Sequence, residues 1–203
     1  QQETQILVGT QMITKGLDFE NIGLVGVMNA DALIHSPDYR AYERSFQLLL
    51  QVSGRAGRSA QQGKVLIQTY NPQHPVIQQV LQNDFRGMYQ SQIEERQSFL
   101  YPPFVQMIKI TLKHSNFNQV NESAEWFANT LREVFAFQRG IDVLGPEFPP
   151  ISRIRNEYLK DILVKVHPSE VSLRHTKELI RRIETSFQAI SNFRAIRVSY
   201  LVE

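Results

Sequence analysis

Residues 39–58 read YRAYERSFQLLLQVSGRAGR, an amphipathic run that ends in two Gly-Arg pairs. Apolar side chains recur at helical spacing from Tyr42 to Val52, which predicts a helix with one buried face. Gly54 and Gly57 then interrupt the pattern. Guanidinium groups are permanently charged planar forks that suit phosphate oxygens, and glycine lets a nucleotide come close. The stretch therefore predicts a helix end that faces phosphate, although a surface loop rich in arginine and glycine would have the same composition.

A second stretch, residues 6–19 (ILVGTQMITKGLDF), is an apolar run that breaks into Gly-Thr and then Lys-Gly-x-Asp-Phe. It resembles motif V of the superfamily 2 helicases and translocases. The spacing Q-x-x-G-R-x-G-R at residues 51–58 resembles motif VI of the same superfamily, and the two occur in the expected order. Their joint presence disfavours the surface loop.

The resemblance extends to one family within this superfamily. Four segments carry it: residues 9–19, 24–58, 68–78 (QTYNPQHPVIQ) and 95–104 (ERQSFLYPPF). They resemble the primosomal protein N′ (PriA) family of replication-restart helicases, and the remaining residues resemble the C-terminal domain of that family more loosely. We therefore expect the chain to be the C-terminal part of such a helicase.

The resemblance implies a role for each motif residue. Arg55 and Arg58 would be arginine fingers that reach the γ-phosphate of ATP, and Gln51 would contact that phosphate or the attacking water. Gly16, Asp18 and Gly54 would lie at the nucleotide. Thr10 and Gln11 would hold a phosphate of the tracked DNA strand.

ATP hydrolysis also requires a phosphate cradle and an acidic group for Mg²⁺. The sequence has no G-x-x-x-x-G-K-[ST] motif and no acidic pair at a strand end that would serve as a Walker B box. We expect ATP and Mg²⁺ to be cofactors of the complete protein, and the chain by itself to be inactive as an ATPase.

Composition excludes several classes of protein. The 203 residues contain no cysteine, so the zinc-binding insertion of the family would lie upstream of this chain. The five histidines have no paired metal-ligand spacing, and we predict no metal site. No apolar run is long enough to cross a membrane. We expect a bacterial, cytoplasmic and nucleoid-associated protein.

Residues 1–85 predict a fragment of a doubly wound α/β lobe, the latter half of a RecA-like helicase lobe 2 with a parallel sheet. Buried strands are expected at residues 5–8, 23–28 and 63–69, and helices at residues 39–52 and 75–81. Ser36 or Asp38 would cap the first helix. Residues 86–103 predict a linker helix that the Tyr-Pro-Pro-Phe corner ends, with a recognition loop as the alternative role of that corner.

Residues 104–203 predict an α+β domain with the order β-α-β-β-α-β, which is typical of a ferredoxin-like split β-α-β fold. Alternating apolar residues predict strands near residues 108–112, 141–144, 162–166 and 196–202. Gly145 and Pro146 would close the second strand. Helical spacing covers residues 120–135 and 176–190.

The second of these helices carries Arg174, Lys177 and Arg181 at spacings of three and four. Such a stripe suits a DNA backbone or an acidic peptide, and a solvated helix face is an equally good interpretation. The family resemblance implies that this domain helps to hold branched DNA and to dock the acidic tail of single-stranded DNA-binding protein. The basic and aromatic stretch of the family is replaced here by residues 157–161 (EYLKD), so Arg153 and Arg155 would have to substitute.

The resemblance implies that the chain is the C-terminal part of an ATP-dependent 3′ to 5′ DNA helicase that recognises stalled or branched forks and restarts replication by primosome assembly. Its partners would be branched and single-stranded DNA, single-stranded DNA-binding protein and other primosome proteins, with no membrane. Two alternatives remain: a non-catalytic DNA or protein docking module, and another superfamily 2 DNA translocase.

Overall fold

A computed structural model describes residues 6–9, 22–54, 56 and 63–203. The chain divides into two compact units, residues 1–94 and residues 95–203. The first unit contains a parallel sheet and the second contains an antiparallel sheet, so the chain is a mixed α/β protein. The division falls inside the segment 86–103 that the sequence predicts as a linker.

The parallel sheet of the first unit has two described strands, β1 (Leu24–Val27) and β2 (Lys64–Ile67). Both lie where strands are predicted. They are not buried as expected, since Leu24 and Leu66 are 58% and 62% exposed. The physical reason is that each strand has only the other as a described neighbour.

A third predicted strand, at residues 5–8, is wrong as far as the structure describes it. Residues 6–9 form no strand and are exposed. The apolar run has no described strand to pair with, and a parallel strand needs such a neighbour for its backbone hydrogen bonds.

Four helices accompany the strands. They are α1 (Asp31–Ile34), α2 (Ala41–Ser53), α3 (Pro75–Gln82) and α4 (Phe85–Ser98). The predicted helices at residues 39–52 and 75–81 are confirmed as α2 and α3. Phe46 and Leu49 of α2 are fully buried in a core that they share with α1, α3 and Met88.

Neither expected capping residue caps α2: the N-cap position is Arg40, without a side-chain cap hydrogen bond, and Asp38 lies two residues before it. Asp38 Oδ1 accepts a hydrogen bond from the Arg40 backbone amide at 2.9 Å, and its Oδ2 lies 2.5 Å from Arg44 Nη1. Burial opposes ionisation, but the hydrogen bond and the two arginine charges lower the pKa of Asp38 below its usual value. Asp38 therefore stays ionised and contacts Arg40 and Arg44 at the start of α2.

His74 caps α3. Its Nδ1 accepts a hydrogen bond from the Val76 backbone amide at 3.2 Å, and Tyr42 packs edge-on against its ring. The next residue is Pro75, whose fixed φ suits a first helical position. Burial, and then the neighbouring His35, lower the pKa of His74, while Asp31 opposes the shift.

The Tyr-Pro-Pro-Phe corner after α4 is held by a buried lysine of the second unit. Lys165 Nζ donates to the Phe99 carbonyl oxygen at 2.7 Å and lies 4.5 Å from the centre of the Tyr101 ring. Burial lowers the pKa of Lys165, and Asp142 opposes the shift. These contacts favour the rigid corner over the recognition loop.

The second unit is an antiparallel sheet with two long helices. The strands are β3 (Gln106–His114), β4 (Ile141–Glu147), β5 (Arg153–Ile154), β6 (Glu157–Val166) and β7 (Arg197–Val202). The helices are α5 (Phe117–Phe135) and α6 (Leu173–Ala189), followed by a 3₁₀ turn at Ser191–Phe193. The main strands lie in the order β4-β6-β3-β7, and β5 pairs with β6.

Two details of this sheet differ from the prediction. The short strand β5 is not predicted, because two residues are too few to show a period. Gly145 and Pro146 do not close β4, which continues to Glu147. A register shift between Leu144 and Glu147 lets the strand continue past a proline that cannot donate to the ladder.

Alternate residues of β3 and β6 face the two helices, as the period of two predicts. Ile110 lies opposite Ile162 at the centre of the sheet, and both are fully buried. Phe127 of α5 and Phe187 of α6 meet edge to face above them, with ring centres 5.2 Å apart. This core fixes both helices on one face of the sheet.

The cap of α3 predicts that the first unit loses stability as the pH falls. The neutral ring of His74 accepts the Val76 amide, and its pKa in the folded chain is below the ordinary 6.5. The contribution of the His74 cap to the stability of the first unit is therefore fully present above about pH 6.5 and is lost as the pH falls further. Hydrogen exchange of residues 75–82, corrected for the intrinsic pH dependence, should show weaker protection at pH 5.5 than at pH 7.5. His74→Asn keeps a capping side chain without titration and should remove most of this difference. An unchanged difference in this variant would contradict the assignment.

Candidate functional site

Helix α2 is followed directly by the arginine-glycine stretch at residues 54–58. Gln51 is exposed in its last turn, and Gly54 follows the helix end at Ser53. The helix therefore ends where predicted. Six predicted site residues lie outside the described residues, and their positions stay predictions: Thr10, Gln11, Gly16, Asp18, Arg55 and Arg58.

The end of α2 is fixed by burial of its inner face. Phe46 and Leu49 are each 1% exposed, and the Ser53 hydroxyl donates to the Leu49 carbonyl oxygen at 2.7 Å. Gln51 lies on the same rigid turn. Its orientation is therefore set by the core of the first unit.

Gly54 adopts a right-handed helical conformation, with φ −65° and ψ −8°. A Cβ atom at this position would meet the Leu50 and Gln51 carbonyl oxygens at 3.5 and 3.7 Å, which are ordinary contacts. The described backbone thus does not require glycine here. Glycine at position 54 would still allow a ligand to approach the backbone closely.

Asp31, which the sequence did not single out, links the segments that follow β1 and β2. Its Oδ1 accepts from the Thr69 hydroxyl at 2.9 Å, and its Oδ2 accepts from the Tyr70 amide at 3.0 Å. Desolvation raises the pKa of Asp31, but these hydrogen bonds bring it below the usual value. The signal was an acid directly after a strand, at the edge where open α/β sheets bind ligands.

The basic stripe on α6 is present but mixed with acids. Arg174 and Arg181 are exposed, and Lys177 is half-buried. Arg174 Nε lies 3.2 Å from Glu178 Oε1, one turn along the helix. The stripe can therefore offer Arg181 and Lys177 to a phosphate backbone more readily than Arg174.

Arg153 and Arg155 lie on a hairpin formed by β5 and β6. The two-residue turn consists of Arg155 and Asn156, with positive φ angles of 49° and 66°. Asparagine and glycine are usual at such angles, and arginine is not. The guanidinium of Arg153 donates to Asn156 Oδ1 at 2.9 Å and lies 4.9 Å from the centre of the Tyr158 ring. Both cations are thus held at one exposed corner of the second unit.

The described residues contain neither a metal-binding cluster nor a membrane-spanning helix. Among them there is no group of three or more His, Cys, Asp or Glu side chains that could hold a metal ion. Within the same ranges, no helix is long and apolar enough to cross a membrane.

Comparison with known proteins identifies the family. Residues 97–199 match the family model described as the primosomal protein N C-terminal domain. Replication restart protein PriA of Bacillus subtilis is 42% identical over 165 residues, which are 80% of this chain and 20% of that protein. The proteins of the same name from Synechocystis and Thermotoga maritima are 40% and 38% identical over 89% and 88% of this chain, and 21% and 23% of theirs.

The chain spans about a fifth of the length of these relatives. Its family model covers just over half of the chain, and the similarity to the relatives extends into the first unit. The chain belongs to the primosomal protein N (PriA) family of replication restart proteins.

Proposed function

We propose that the complete protein is an ATP-dependent 3′ to 5′ DNA helicase that recognises stalled or branched forks and restarts replication by primosome assembly. The name of its relatives supports the replication-restart role. The observation that carries the helicase activity is the rigid end of α2, which leads directly into Gly54-Arg55-Ala56-Gly57-Arg58.

In this proposal, Arg55 and Arg58 neutralise the negative charge that develops on the γ-phosphate of ATP as it leaves. Gln51 orients the phosphate or the attacking water, and Gly16 and Asp18 contact the nucleotide. ATP and Mg²⁺ are bound by residues of a neighbouring lobe. Because the arginines come from a second lobe, hydrolysis is linked to closure of the two lobes, and closure moves the protein along DNA.

We also propose a fold assignment for each unit. Parallel pairing of β1 and β2 with helices between them supports a part of a RecA-like lobe. The order β-α-β-β-α-β with spatial order β4-β6-β3-β7 supports a ferredoxin-like domain, with β5 as an addition.

The proposed partners follow from this role. Thr10 and Gln11 would contact the tracked strand, while Arg181 and Lys177 on α6 would contact the phosphate backbone of branched DNA. Single-stranded DNA-binding protein and other primosome proteins would join the complex in the bacterial cytoplasm. A zinc site of the family would lie outside this chain, because the sequence contains no cysteine.

Arg58→Ala in the complete protein should lower DNA-stimulated ATP turnover about 10³-fold or more, as expected for loss of an arginine finger. Gly54→Ala should also lower turnover, while the first unit keeps its stability because a methyl group meets only ordinary contacts there. Steady-state ATPase assays and thermal unfolding would measure the two effects. Arg86→Ala, an exposed arginine on α4, is the matched control. Normal DNA-stimulated turnover in Arg58→Ala would refute the arginine-finger assignment.

The chain by itself should not hydrolyse ATP, because it lacks a phosphate cradle. Malachite-green assays with and without DNA should give the same phosphate release as buffer. Turnover that follows the chain through successive purification steps and is lost in Arg58→Ala would overturn this division of the site between two lobes.

Arg181→Ala should weaken binding of the chain to forked DNA and should lower the slope of log Kd against log salt by about 1, as for loss of one phosphate contact. Arg139→Ala, which removes an exposed charge from a loop outside the stripe, should leave the slope unchanged. Fluorescence anisotropy at several salt concentrations measures both. Equal slopes for Arg181→Ala and the parent chain would favour the solvated helix face.

A further inference from the structure

Three aromatic rings form a continuous stack on the second unit, which we call the aromatic ladder: Phe117, Phe148 and Tyr158. Phe117 and Phe148 are nearly parallel, with a 12° angle and ring centres 5.6 Å apart. Tyr158 meets Phe117 edge to face at 5.4 Å. The ladder is therefore one surface built from three separate parts of the chain.

Each ring is held by a different element. Phe117 is the first residue of α5, directly after Asn116, whose Oδ1 accepts from the amides of Asn118 and Gln119. Phe148 follows the end of β4, and Tyr158 lies on β6. A helix start, a strand end and a strand therefore position the three rings of the ladder.

The ladder nevertheless keeps apolar surface in water. Phe117 is 47% exposed and Phe148 is 39% exposed, although they stack on each other. Ile151 and Ile154, which lie nearby in sequence, are exposed as well. Stacked and partly exposed rings form a larger apolar patch than a single side chain, and such patches are characteristic of binding surfaces.

Cations surround the patch. Lys160 Nζ lies 4.1 Å from the centre of the Phe148 ring, and the Arg153 guanidinium lies over the Tyr158 ring. Arg155 is exposed at the tip of the adjoining hairpin. The nearby carboxylate of Glu157 is already paired with Arg197. The surface thus combines aromatic rings with three cations, with the exposed carboxylate of Glu147 directly before Phe148. The combination of rings and cations suits an anionic ligand that has flat apolar groups.

Lys160 distinguishes this surface from an ordinary solvated one. It is 9% exposed, and no carboxylate among the described residues pairs with it. A buried ammonium group without an anion is costly, and a ring face compensates only part of that cost. A ligand phosphate close to Phe148 would supply the missing charge.

We infer that the aromatic ladder and the β5–β6 hairpin bind unpaired nucleotides of single-stranded DNA. Bases stack on the exposed parts of Phe117 and Phe148, Lys160 leaves the Phe148 ring to contact a phosphate, and Arg153 and Arg155 contact the neighbouring phosphates. The inference rests on the proposed DNA-binding function and specifies which part of a branched substrate this surface takes.

The geometry favours unpaired bases over the two other anionic ligands. Duplex bases are stacked within the helix, so duplex DNA offers phosphates but no base faces to Phe117 and Phe148. An acidic peptide would pair with the cations but would leave the exposed rings of Phe117 and Phe148 without a flat partner. Strain at Arg155, held at φ 49°, is also typical of residues kept at functional sites.

The test uses the complete 203-residue chain and three fluorescein-labelled probes: a thymidine oligonucleotide of about 15 nucleotides, an abasic strand of the same length, and an acidic peptide. The double variant Phe117→Leu, Phe148→Leu keeps apolar side chains but removes stacking. It should bind the thymidine strand about tenfold more weakly and the abasic strand nearly as the parent does. Phe137→Leu, at a ring that is 99% exposed outside the ladder, should bind like the parent.

A tryptophan reporter adds a readout that a folding defect would not reproduce. Phe148→Trp should retain affinity for the thymidine strand, and its fluorescence should be quenched by the strand and not by the acidic peptide. Trp126 alone, in the parent chain, provides the baseline because it packs against Phe187 and Phe193 in the core.

The inference is overturned if the double variant binds the thymidine strand like the parent, or if it loses only the acidic peptide. In the first case, weaker DNA binding by Arg181→Ala would show that α6 binds DNA although the ladder does not. A parent chain that binds neither forked nor single-stranded DNA would contradict both the ladder and the proposed function.

Discussion

Burial of one face of α2 is the constraint on which the first unit depends. Phe46 and Leu49 are each removed from water, which stabilises the fold by about 1.5–3 kcal/mol per side chain. Asp38 contacts Arg40 and Arg44 at the start of the helix, and the core fixes its rotation. Together they determine where the chain leaves the helix at Gly54. A charged segment that must meet a phosphate group needs such an anchor, because a displacement of about 1 Å is costly in catalysis.

In the second unit, too, a buried core fixes the elements that carry the surface residues, and here those residues are proposed to bind ligands. The centre of its sheet is filled by β3 and β6, and α5 and α6 cover one face. Rigid elements then carry the polar and aromatic surfaces: the stripe on α6, the corner held by Lys165, and the ladder at the start of α5. The stripe suits phosphate charge, and the ladder suits flat bases. Two surfaces with different ligand chemistry would let one domain distinguish duplex from unpaired DNA.

Periodicity predicted most of the fold because burial enforces it. The alternation of Ile108, Ile110 and Leu112 reflects a sheet with one covered face, and helical spacing located α2, α5 and α6. The strand predicted from the apolar run at residues 5–8 is wrong for the described residues 6–8, because apolar composition alone does not supply a neighbouring strand. Continuation of β4 beyond Pro146 was missed because a register shift leaves no periodic signal.

The candidate site was predictable in part for a similar reason. The end of α2 before Gly54 was predictable from helical spacing and the glycine, while the roles of Gln51 and Gly54 stay predictions. Asp31 was missed because its role depends on Thr69 and Tyr70, which are distant in sequence. The ladder was missed because Phe117, Phe148 and Tyr158 come from three elements, and no local pattern relates them. Long-range pairing of side chains is what single-sequence reasoning lacks.

The most direct test of the central claim is the affinity of the complete protein for ADP with aluminium fluoride, a mimic of the leaving phosphate, compared with its affinity for ADP alone. An arginine that acts on the transition state contributes to the first complex and not to the second. In Arg58→Ala, the account predicts a loss of the aluminium fluoride complex with ADP affinity unchanged. Equal affinities of the parent and the variant for the aluminium fluoride complex would contradict it.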